Sequence, residues 1–294
     1  MNVELGNVTG SPRAVLAAVE SVLAAADVSE ARTLAEWLVA AAAGVGRLEL
    51  LSRDSIDWEP AARHHLDGWV RRVAAGEPLQ YVLGTAPFMG REFACDRRAL
   101  IPRPETEELC ERVLADVRIW DRERPCVIDV GTGTGCIAIT LALERARSGI
   151  VAIDVSPDAL DLARNNARNL GVADGRIAWR LGDLLDGHDR GAADAIVSNP
   201  PYISDSEWLG LDRVVRDHEP RLALVGGPDG LAVIRRLIEQ AVEVLRPDGM
   251  LWMEMGNEQG SAVRQMLADA GYRNVITYRD LAGHERIAAA QRPR

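Results

Sequence analysis

The sequence predicts an α/β protein in which helices cover both faces of a mostly parallel sheet, preceded by a small helical bundle and a β-hairpin. Up to about residue 75, apolar residues recur at the spacing of amphipathic helices. From Gly76, glycines and prolines separate short strand-like stretches. After residue 120, apolar strands alternate with helices, as in parallel sheets. These changes of pattern divide the chain into residues 1–76, 77–101 and 102–294.

The first segment is predicted to form the helical bundle. Ser11 is a suitable N-cap, and Pro12 stands at the first helical position, where its missing N–H costs nothing. Apolar residues follow at i, i+3 and i+4. A second helix is predicted after the cap Ser29, with Leu34, Leu38 and Ala41, and a third near Glu59–Ala74. We assign the tryptophans of this segment to the bundle core: Trp37, Trp58 and Trp69.

The second segment is predicted to be a hairpin linker. Two stretches of strand-forming residues, Gln80–Leu83 and Glu92–Cys95, are separated by Gly84, Pro87 and Gly90. A helix then begins at the sequence PRPETEEL, which places proline and acidic residues in a first turn.

The third segment is predicted to form the sheet and the helices that cover it. Its strands are expected at Val127–Val130, Ile150–Ile153, Ile177–Leu181, Ala193–Val197, Met250–Met255, Asn274–Tyr278 and Arg286–Ala290. Its helices are expected at Cys136–Leu143, Pro157–Leu170, Gly230–Leu245 and Glu258–Ala270.

Composition narrows the classes of partner. The net charge is −10, and all 34 basic residues are arginine. Proteins that bind nucleic acid usually carry a basic face, so stable nucleic-acid binding is not expected. The four cysteines show no C-x-x-C spacing and the five histidines no metal-ligand spacing, so reduced thiols and no metal are expected. No secretion signal or membrane-spanning run is recognised, and we expect a cytoplasmic monomer.

A glycine-rich stretch, VIDVGTGTGCIAI, joins the first predicted strand to a helix. Gly131, Gly133 and Gly135 allow backbone N–H groups and a helix N-terminus to approach a ligand closely. Their G-x-G-x-G spacing differs from the dinucleotide pattern G-x-G-x-x-G, which makes a pyrophosphate cradle the weaker interpretation. Asp129, just before the glycines, is a candidate partner for an ammonium group.

Acidic residues follow the next two strands at the edge where open α/β sheets bind ligands. Asp154 ends the second strand and is suited to accept the hydroxyls of a ribose. Asp183 and Leu184 follow the third strand, where an acid beside an apolar side chain would hold adenine. The order of these residues resembles that of class I S-adenosylmethionine-dependent methyltransferases.

The fourth strand ends in Asn199-Pro200-Pro201-Tyr202. An amide or aryl-amine nitrogen is a poor nucleophile because its lone pair is delocalised, and two acceptors for its N–H bonds turn that lone pair toward a methyl donor. The side-chain oxygen of Asn199 and the carbonyl of Pro200 are predicted to be these acceptors. Pro201 forces Pro200 into extended geometry, and Tyr202 offers a flat face to a planar group. The predicted contribution is positioning and electrostatics.

The motif alone leaves adenine, guanine N2 and glutamine amide open as targets. The whole chain, however, resembles the PrmC/HemK family, the glutamine N5-methyltransferases of peptide chain release factors. The stretches that carry this resemblance are GEPLQYVLG, PFMGREF, LIPRPETEEL, VIDVGTGTGCIAI, VSNPPYI, EPRLALVGGPDGL and EMGNEQG. Glutamine methylation of a large-subunit ribosomal protein and nucleic-acid base methylation remain as alternatives, and an inactive cofactor-binding scaffold is disfavoured by the complete motifs.

The resemblance implies a substrate-recognising helical domain, a hairpin linker and a methyltransferase domain with a Rossmann-like sheet. It implies that S-adenosylmethionine is bound by residues of the glycine loop, the strand tips and the first residue of NPPY, and that NPPY holds the glutamine of a Gly-Gly-Gln loop. The implied cofactor contacts are Asp129, Gly131, Thr132, Gly133, Thr134, Gly135, Asp154, Asp183, Leu184 and Asn199. Two positions depart from the family: Leu184, where an aromatic is common, and His284, where another polar residue is common.

Overall fold

The computed structural model describes residues 11–55, 58 and 60–294. The chain divides into two compact units. The first contains the residues up to Thr85 together with Asp212–His218, and the second contains Ala86–Leu211 and Glu219–Arg294. Within the described residues, no helix combines the length and the apolar character that crossing a bilayer requires.

The first unit is helical. Its helices are α1 Pro12–Ala25, α2 Ala31–Ala43, α3 Arg47–Ser52, α4 Pro60–Ala74, α5 Leu79–Leu83 and α11 Arg213–Arg216. One apolar cluster, which includes Leu16, Leu38 and Val70, holds α1, α2 and α4 together. The predicted bundle is therefore present, with the short helices α3 and α5 added to those expected.

Helix α5 corrects the prediction that Gln80–Leu83 is a strand. Five residues are too few to distinguish helical from strand periodicity. The structure ends this helix at Gly84, whose φ of +78° suits the left-handed C-cap position. Leu79, Val82 and Leu83 all pack on the bundle core from α5. A strand would place Val82 on the face opposite to Leu79 and Leu83, because its side chains alternate between two faces.

The assignment of the tryptophans to the bundle core is wrong for Trp37. This side chain is 41% exposed and lies under the Arg47 guanidinium, 5.3 Å from its ring centroid. Trp58 and Trp69 are partly buried at the edge of the core. The interior of this small bundle is filled by leucine, valine and alanine, so the large tryptophan rings lie at the edge of the core.

The second unit contains the sheet, and the predicted α/β fold is confirmed. Its strands are β1 Thr85–Phe88 (shared with the first unit at Thr85), β2 Arg91–Ala94, β3 Cys126–Val130, β4 Gly149–Asp154, β5 Ile177–Leu181, β6 Ala193–Ser198, β7 Leu245–Glu254, β8 Arg273–Arg279 and β9 Glu285–Gln291. Its helices are α6 Pro104–Ala115, α7 Val117–Trp120, α8 Cys136–Glu144, α9 Pro157–Asn169, α10 Asp205–Gly210, α12 Ala232–Val244 and α13 Gly260–Asp269, with a 3₁₀ turn at Arg221–Ala223.

The sheet has seven strands in the order β5-β4-β3-β6-β7-β9-β8. The pairs from β5 to β7 are parallel, and β9 runs antiparallel to β7 and β8. Alternate residues of the central strands enter different cores: Val127 joins one apolar cluster, whereas Ile128 joins another. Helices α8 and α12 contribute to these two clusters respectively, so each face of the sheet is covered by helices.

The hairpin β1–β2 packs onto the sheet domain. Phe88 and Phe93 are buried in the same cluster as α8, and their rings meet edge to face with centroids 5.8 Å apart. Asn166 of α9 accepts a hydrogen bond from the N–H of Ala94 (2.7 Å) and donates one to the carbonyl of Thr134 (2.9 Å). The hairpin is thereby tied to the loop that follows β3.

Candidate active site

A cavity of about 350 Å³ opens at the carboxyl edge of the parallel strands. Its walls come from the residues that follow β3, β4, β5 and β6, together with residues 98–103 and 220–225. Of the predicted site residues, those lining it are Gly131, Thr132, Gly133, Thr134, Asp154, Asp183, Leu184, Asn199 and Pro201. The others, Asp129, Gly135, Pro200 and Tyr202, do not line it. The cavity is in the size range of small-molecule sites.

The loop after β3 is held in shape by backbone hydrogen bonds to β4. The N–H groups of Gly131 and Thr132 both donate to the carbonyl of Ile153, at 2.9 Å each. Gly135 has a φ of +83°, and a Cβ there would lie 2.8 Å from Cδ1 of Ile139 and 3.0 Å from Cβ of Ala163. Glycine at this position therefore lets α8 and α9 approach the loop closely.

Asp129 is fully buried behind this loop. Its Oδ2 accepts hydrogen bonds from the hydroxyl of Thr132 (2.6 Å) and the N–H of Ala138 (3.1 Å). Its Oδ1 is buried and has no hydrogen-bond partner among the described residues. Burial raises the pKa of the Asp129 carboxyl to about 7, although both hydrogen bonds lower it. An unsatisfied buried carboxylate oxygen fits a cationic donor arriving with a ligand.

Asp154 lies at the tip of β4, half-buried in the cavity wall. Its Oδ2 accepts from the N–H of Gly133 and its Oδ1 from the N–H of Ser156, at 2.9 Å each. Burial raises the pKa of the Asp154 carboxyl, and these backbone donors oppose the shift. Each oxygen keeps a lone pair for a further donor, as contact with two ribose hydroxyls requires.

The tip of β5 combines an acid with a strained apolar residue. Asp183 accepts a hydrogen bond from Arg236 at 2.8 Å, and both side chains are about half exposed. Leu184 has a φ of +52°, which is unusual for leucine and typical of functional sites. Val155, half exposed beside Asp154, adds apolar surface that sequence reasoning missed. His284 lies outside the cavity, in the turn between β8 and β9.

The tip of β6 is joined to a buried carboxylate. Nδ2 of Asn199 donates to the hydroxyl of Thr106 at 3.0 Å, and this hydroxyl donates to Oε2 of Glu254 at 2.7 Å. The phenol of Tyr202 donates to Oε1 of the same carboxylate at 3.2 Å. Among the described residues, none donates to Oδ1 of Asn199, which is therefore left for a ligand in the cavity. Sequence reasoning missed Thr106 and Glu254.

Strand pairing brings this segment to the glycine loop. Val130 of β3 is opposite Ser198 of β6, and the Ser198 hydroxyl donates to the Val130 carbonyl at 2.8 Å. Gly131 and Asn199 follow these two residues, and a Cβ on Gly131 would lie 4.0 Å from the Asn199 carbonyl oxygen. No cluster of three or more histidine, cysteine or acidic residues suited to a metal occurs in the part of the chain that the structure describes.

Comparison with known proteins identifies the family. The PrmC N-terminal domain family matches residues 14–84, and the methyltransferase small domain family matches residues 112–218. The release factor glutamine methyltransferase of Nitratidesulfovibrio vulgaris is 42% identical over 92% of this chain and 91% of that protein. That of Moorella thermoacetica is 42% identical over 92% of this chain and 94% of that protein. The chain belongs to the release factor glutamine methyltransferase family.

Among solved structures, a ribosomal protein L11 methylase from Lactobacillus delbrueckii subsp. bulgaricus is 24% identical, with a TM-score of 0.48, over 67% of this chain and 82% of that one.

In this methyltransferase, glycines allow the backbone of the NPPY segment to pack closely against a neighbouring loop. A Cβ on Gly226 would lie 2.5 Å from the Pro201 carbonyl oxygen, and one on Gly230 would lie 2.3 Å from that of Tyr202. Gln259 donates to the same Tyr202 carbonyl at 2.9 Å. The stretches GGPDGL and EMGNEQG, which carried the family resemblance without an assigned role, thus pack against the segment that carries Asn199.

The cavity wall on the other side is held by a buried glutamate of the methyltransferase. Glu219 is 5% exposed, accepts from the N–H of Ile101 at 3.2 Å and pairs with the guanidinium of Arg103. These contacts tie the stretch LIPRPETEEL to EPRLAL. The opposite charges of Arg103 and Glu219, each inside a stretch that matches the family, were a feature of the sequence that could have predicted this contact.

Gly230→Ala tests the close backbone approach, and Gly171→Ala is its matched control. Both glycines have a φ near +70° (+71° and +74°), but a Cβ on Gly171 meets open space. Both variants should lose roughly 1–2 kcal/mol of unfolding free energy to backbone strain. Only Gly230→Ala should also displace Tyr202 and lower methyl-transfer turnover, by about a hundredfold. Denaturation curves and single-turnover rates measure the two effects, and equal turnover in both variants would contradict the positioning role.

Proposed function

We propose that this enzyme transfers a methyl group from S-adenosylmethionine to the side-chain amide nitrogen, N5, of the glutamine in the Gly-Gly-Gln motif of peptide chain release factors. The observation that carries the proposal is the orientation of Asn199. Its Nδ2 is engaged by Thr106, so its Oδ1 is left to accept from an amide N–H in the cavity. Membership of the release factor glutamine methyltransferase family supports this choice of acceptor over a nucleic-acid base.

Bound S-adenosylmethionine supplies an electrophilic methyl group. We assign its ribose to Asp154 and its adenine to Asp183 and Leu184, because all three residues line the cavity. We assign its ammonium group to Asp129, whose buried Oδ1 has no hydrogen-bond partner among the described residues and would gain one from a cationic donor. The loop from Gly131 to Gly135 brings the backbone close to the ligand. Asp154 and Asp183 line the cavity, Asp129 lies behind the glycine loop, and each of the three acids keeps an acceptor oxygen for the bond proposed.

The chain activates the glutamine nitrogen by positioning. Asn199 Oδ1 accepts one N–H of the substrate amide, and the Pro200 carbonyl accepts the other. Two acceptors hold the substrate amide so that the nitrogen lone pair, which lies perpendicular to the amide plane, faces the methyl group, and this positioning lowers the barrier. One of the two N–H protons is released to solvent once the nitrogen carries the methyl group, so no titratable base is assigned. The ring of Tyr202, held at its hydroxyl by Glu254, is proposed to lie against the planar amide.

The first test is methylation of a purified release factor. After incubation with S-adenosylmethionine and digestion, mass spectrometry should find one added methyl on the glutamine of the Gly-Gly-Gln peptide. Asn199→Ala should lower turnover by at least about a hundredfold, the scale of losing one positioned polar group. Calorimetry should find its cofactor affinity largely retained.

A methyl on a ribosomal protein or a nucleic acid, with none on the release factor, would replace the proposed substrate. Loss of cofactor binding in Asn199→Ala would instead give this residue a structural role in the cofactor site.

The ribose assignment is tested by Asp154→Ala. Loss of this carboxylate leaves two ligand hydroxyls unpaired and frees the N–H of Gly133, so cofactor binding should weaken by about 1–3 kcal/mol. Asp161→Ala, which removes an exposed acid of α9, controls for the change in net charge. An unchanged dissociation constant in Asp154→Ala would exclude the ribose contact.

We also propose that the first unit recognises the protein substrate, since it matches the PrmC N-terminal domain and none of its described residues lines the cavity. A chain lacking residues up to Thr85 should bind S-adenosylmethionine but methylate the release factor poorly. The truncation removes the neighbours of Asp212–His218, which belongs to the same unit, so a folding control is needed. Binding of S-adenosylmethionine, measured by calorimetry, serves as that control. Normal methylation by the truncated chain would exclude this role. Since translation termination takes place in the cytoplasm, we place the enzyme there.

A further inference from the structure

The carboxylate of Glu254 is the end point of two hydrogen-bonded branches. One branch runs through Thr106 to the amide of Asn199, and the other comes directly from Tyr202. Glu254 is 1% exposed and lies at the end of β7, whereas Thr106 lies in the first turn of α6. In the mechanism proposed above, Thr106 enters only as the partner of Asn199 Nδ2 and Glu254 only as the partner of the Tyr202 hydroxyl. The hydrogen bond between Thr106 and Glu254 has no role there.

We propose that Glu254 and Thr106 are positioning residues for methyl transfer, which set the rotation of the Asn199 carboxamide so that Oδ1 rather than Nδ2 faces the substrate amide. The proposal rests on the proposed function, in which this oxygen accepts a substrate N–H. It assigns a catalytic purpose to a buried charge that a hydrophobic residue could otherwise replace at lower desolvation cost.

The direction of the hydrogen bonds follows from the donors each group has. An ionised carboxylate only accepts, so Thr106 and Tyr202 must both donate to Glu254. Thr106 has one hydroxyl hydrogen, and once it is used the oxygen can only accept from Asn199. The Asn199 group facing Thr106 is therefore the NH₂ of its amide, and the carbonyl oxygen is directed elsewhere.

A protonated Glu254 loses this control. The acid can then donate to the Thr106 oxygen, and the Thr106 hydrogen can turn to Asn199. The carboxamide is then free to rotate by half a turn and present Nδ2 to the substrate nitrogen, where two donors oppose each other. A small error in the position of an acceptor is enough to lower a rate substantially.

Protonation of Glu254 takes place near neutral pH. The pKa of its carboxyl is raised to about 7: burial and the neighbouring Glu105 raise it, whereas Thr106, Tyr202 and Arg286 lower it. These groups face Glu254 from α6, the NPPY segment and β9. Among the described residues, the thiols of Cys110 and Cys136 also interact electrostatically with it. Turnover should therefore fall as the pH drops through about 7, where the ionised form is lost.

Thr106→Val and Thr106→Ser separate the hydroxyl from the packing of the side chain. Thr106→Val removes the only group that relays the carboxylate to Asn199, so kcat for release factor methylation should fall by about ten- to a hundredfold. Thr106→Ser keeps the hydroxyl and should retain most of the wild-type kcat. The dissociation constant for S-adenosylmethionine and the melting temperature are measured for both, because a purely structural role would move these and leave the rate of the folded fraction unchanged. Equal kcat in the two variants would overturn the proposal.

Glu254→Gln tests the pH dependence, with Glu243→Gln, an exposed acid of α12, as the matched control. At saturating cofactor and substrate, kcat is measured from about pH 5.5 to 8.5, a span centred on the carboxyl pKa of about 7. Wild type and Glu243→Gln should lose activity on the acid side, whereas Glu254→Gln should have a low kcat that no longer varies there. An acid limb that persists in Glu254→Gln belongs to another group and contradicts the proposal.

A measurement without substrate separates this proposal from the proposed function. The side-chain NH₂ resonances of Asn199, identified by their absence in Asn199→Ala, should shift as the pH crosses about 7 in the wild type and stay constant in Glu254→Gln. If the wild type shows this shift but does not methylate release factors, the substrate assignment fails and the positioning chain stands. If it methylates release factors but the resonances do not respond to Glu254→Gln, the positioning chain is wrong.

Discussion

The pairing of β3 with β6 is the constraint on which the active site depends. Because Val130 is opposite Ser198, the glycine loop and the NPPY segment leave the sheet side by side. The Ser198 hydroxyl reinforces this register with a bond to the Val130 carbonyl. A slip by one residue would turn every side chain of β6 to the other face of the sheet and separate Asn199 from the loop. Backbone hydrogen bonds between two buried strands thus place the glycine loop, proposed to bind the cofactor, beside the NPPY segment, proposed to bind the substrate. The Ser198 side chain adds a further bond to this arrangement.

Backbone groups also dominate the contacts around the site. The glycine loop is held by the Ile153 carbonyl, and the NPPY segment packs closely on Gly226 and Gly230 and accepts a hydrogen bond from Gln259 at the Tyr202 carbonyl. A rigid hydrogen-bond acceptor suits a reaction in which the substrate amide nitrogen has to be oriented and no side-chain base is assigned. The two buried carboxylates with a pKa near 7, Asp129 and Glu254, lie behind the cavity wall, where each holds a neighbouring group in place.

Local sequence patterns predicted much of this architecture, because a strand followed by glycines or by NPPY is specified within a few residues. The parallel sheet and the residues at its strand tips were predicted on this basis, and the structure places most of them around one cavity. Short elements were not predictable: Gln80–Leu83 carries the same apolar content as a strand, and only its packing on the bundle makes it helical. Trp37 was misjudged because hydrophobicity does not reveal whether a small core has room for an indole.

Thr106 and Glu254 were missed for a different reason, which is their separation along the chain. They contact each other across 148 residues and lie on elements whose individual patterns suggest only a helix start and a strand end. A threonine in a first turn and a glutamate after an apolar strand are each ordinary. What distinguishes them is burial, because a carboxylate with almost no exposure requires hydrogen-bond donors. Here one donor is Thr106, which is hydrogen-bonded to Asn199, and the other is Tyr202 of the same NPPY segment. A buried charge near a cavity therefore indicates a functional role when its hydrogen bonds orient residues of the site. Both oxygens of Glu254 are connected by hydrogen bonds to the NPPY segment.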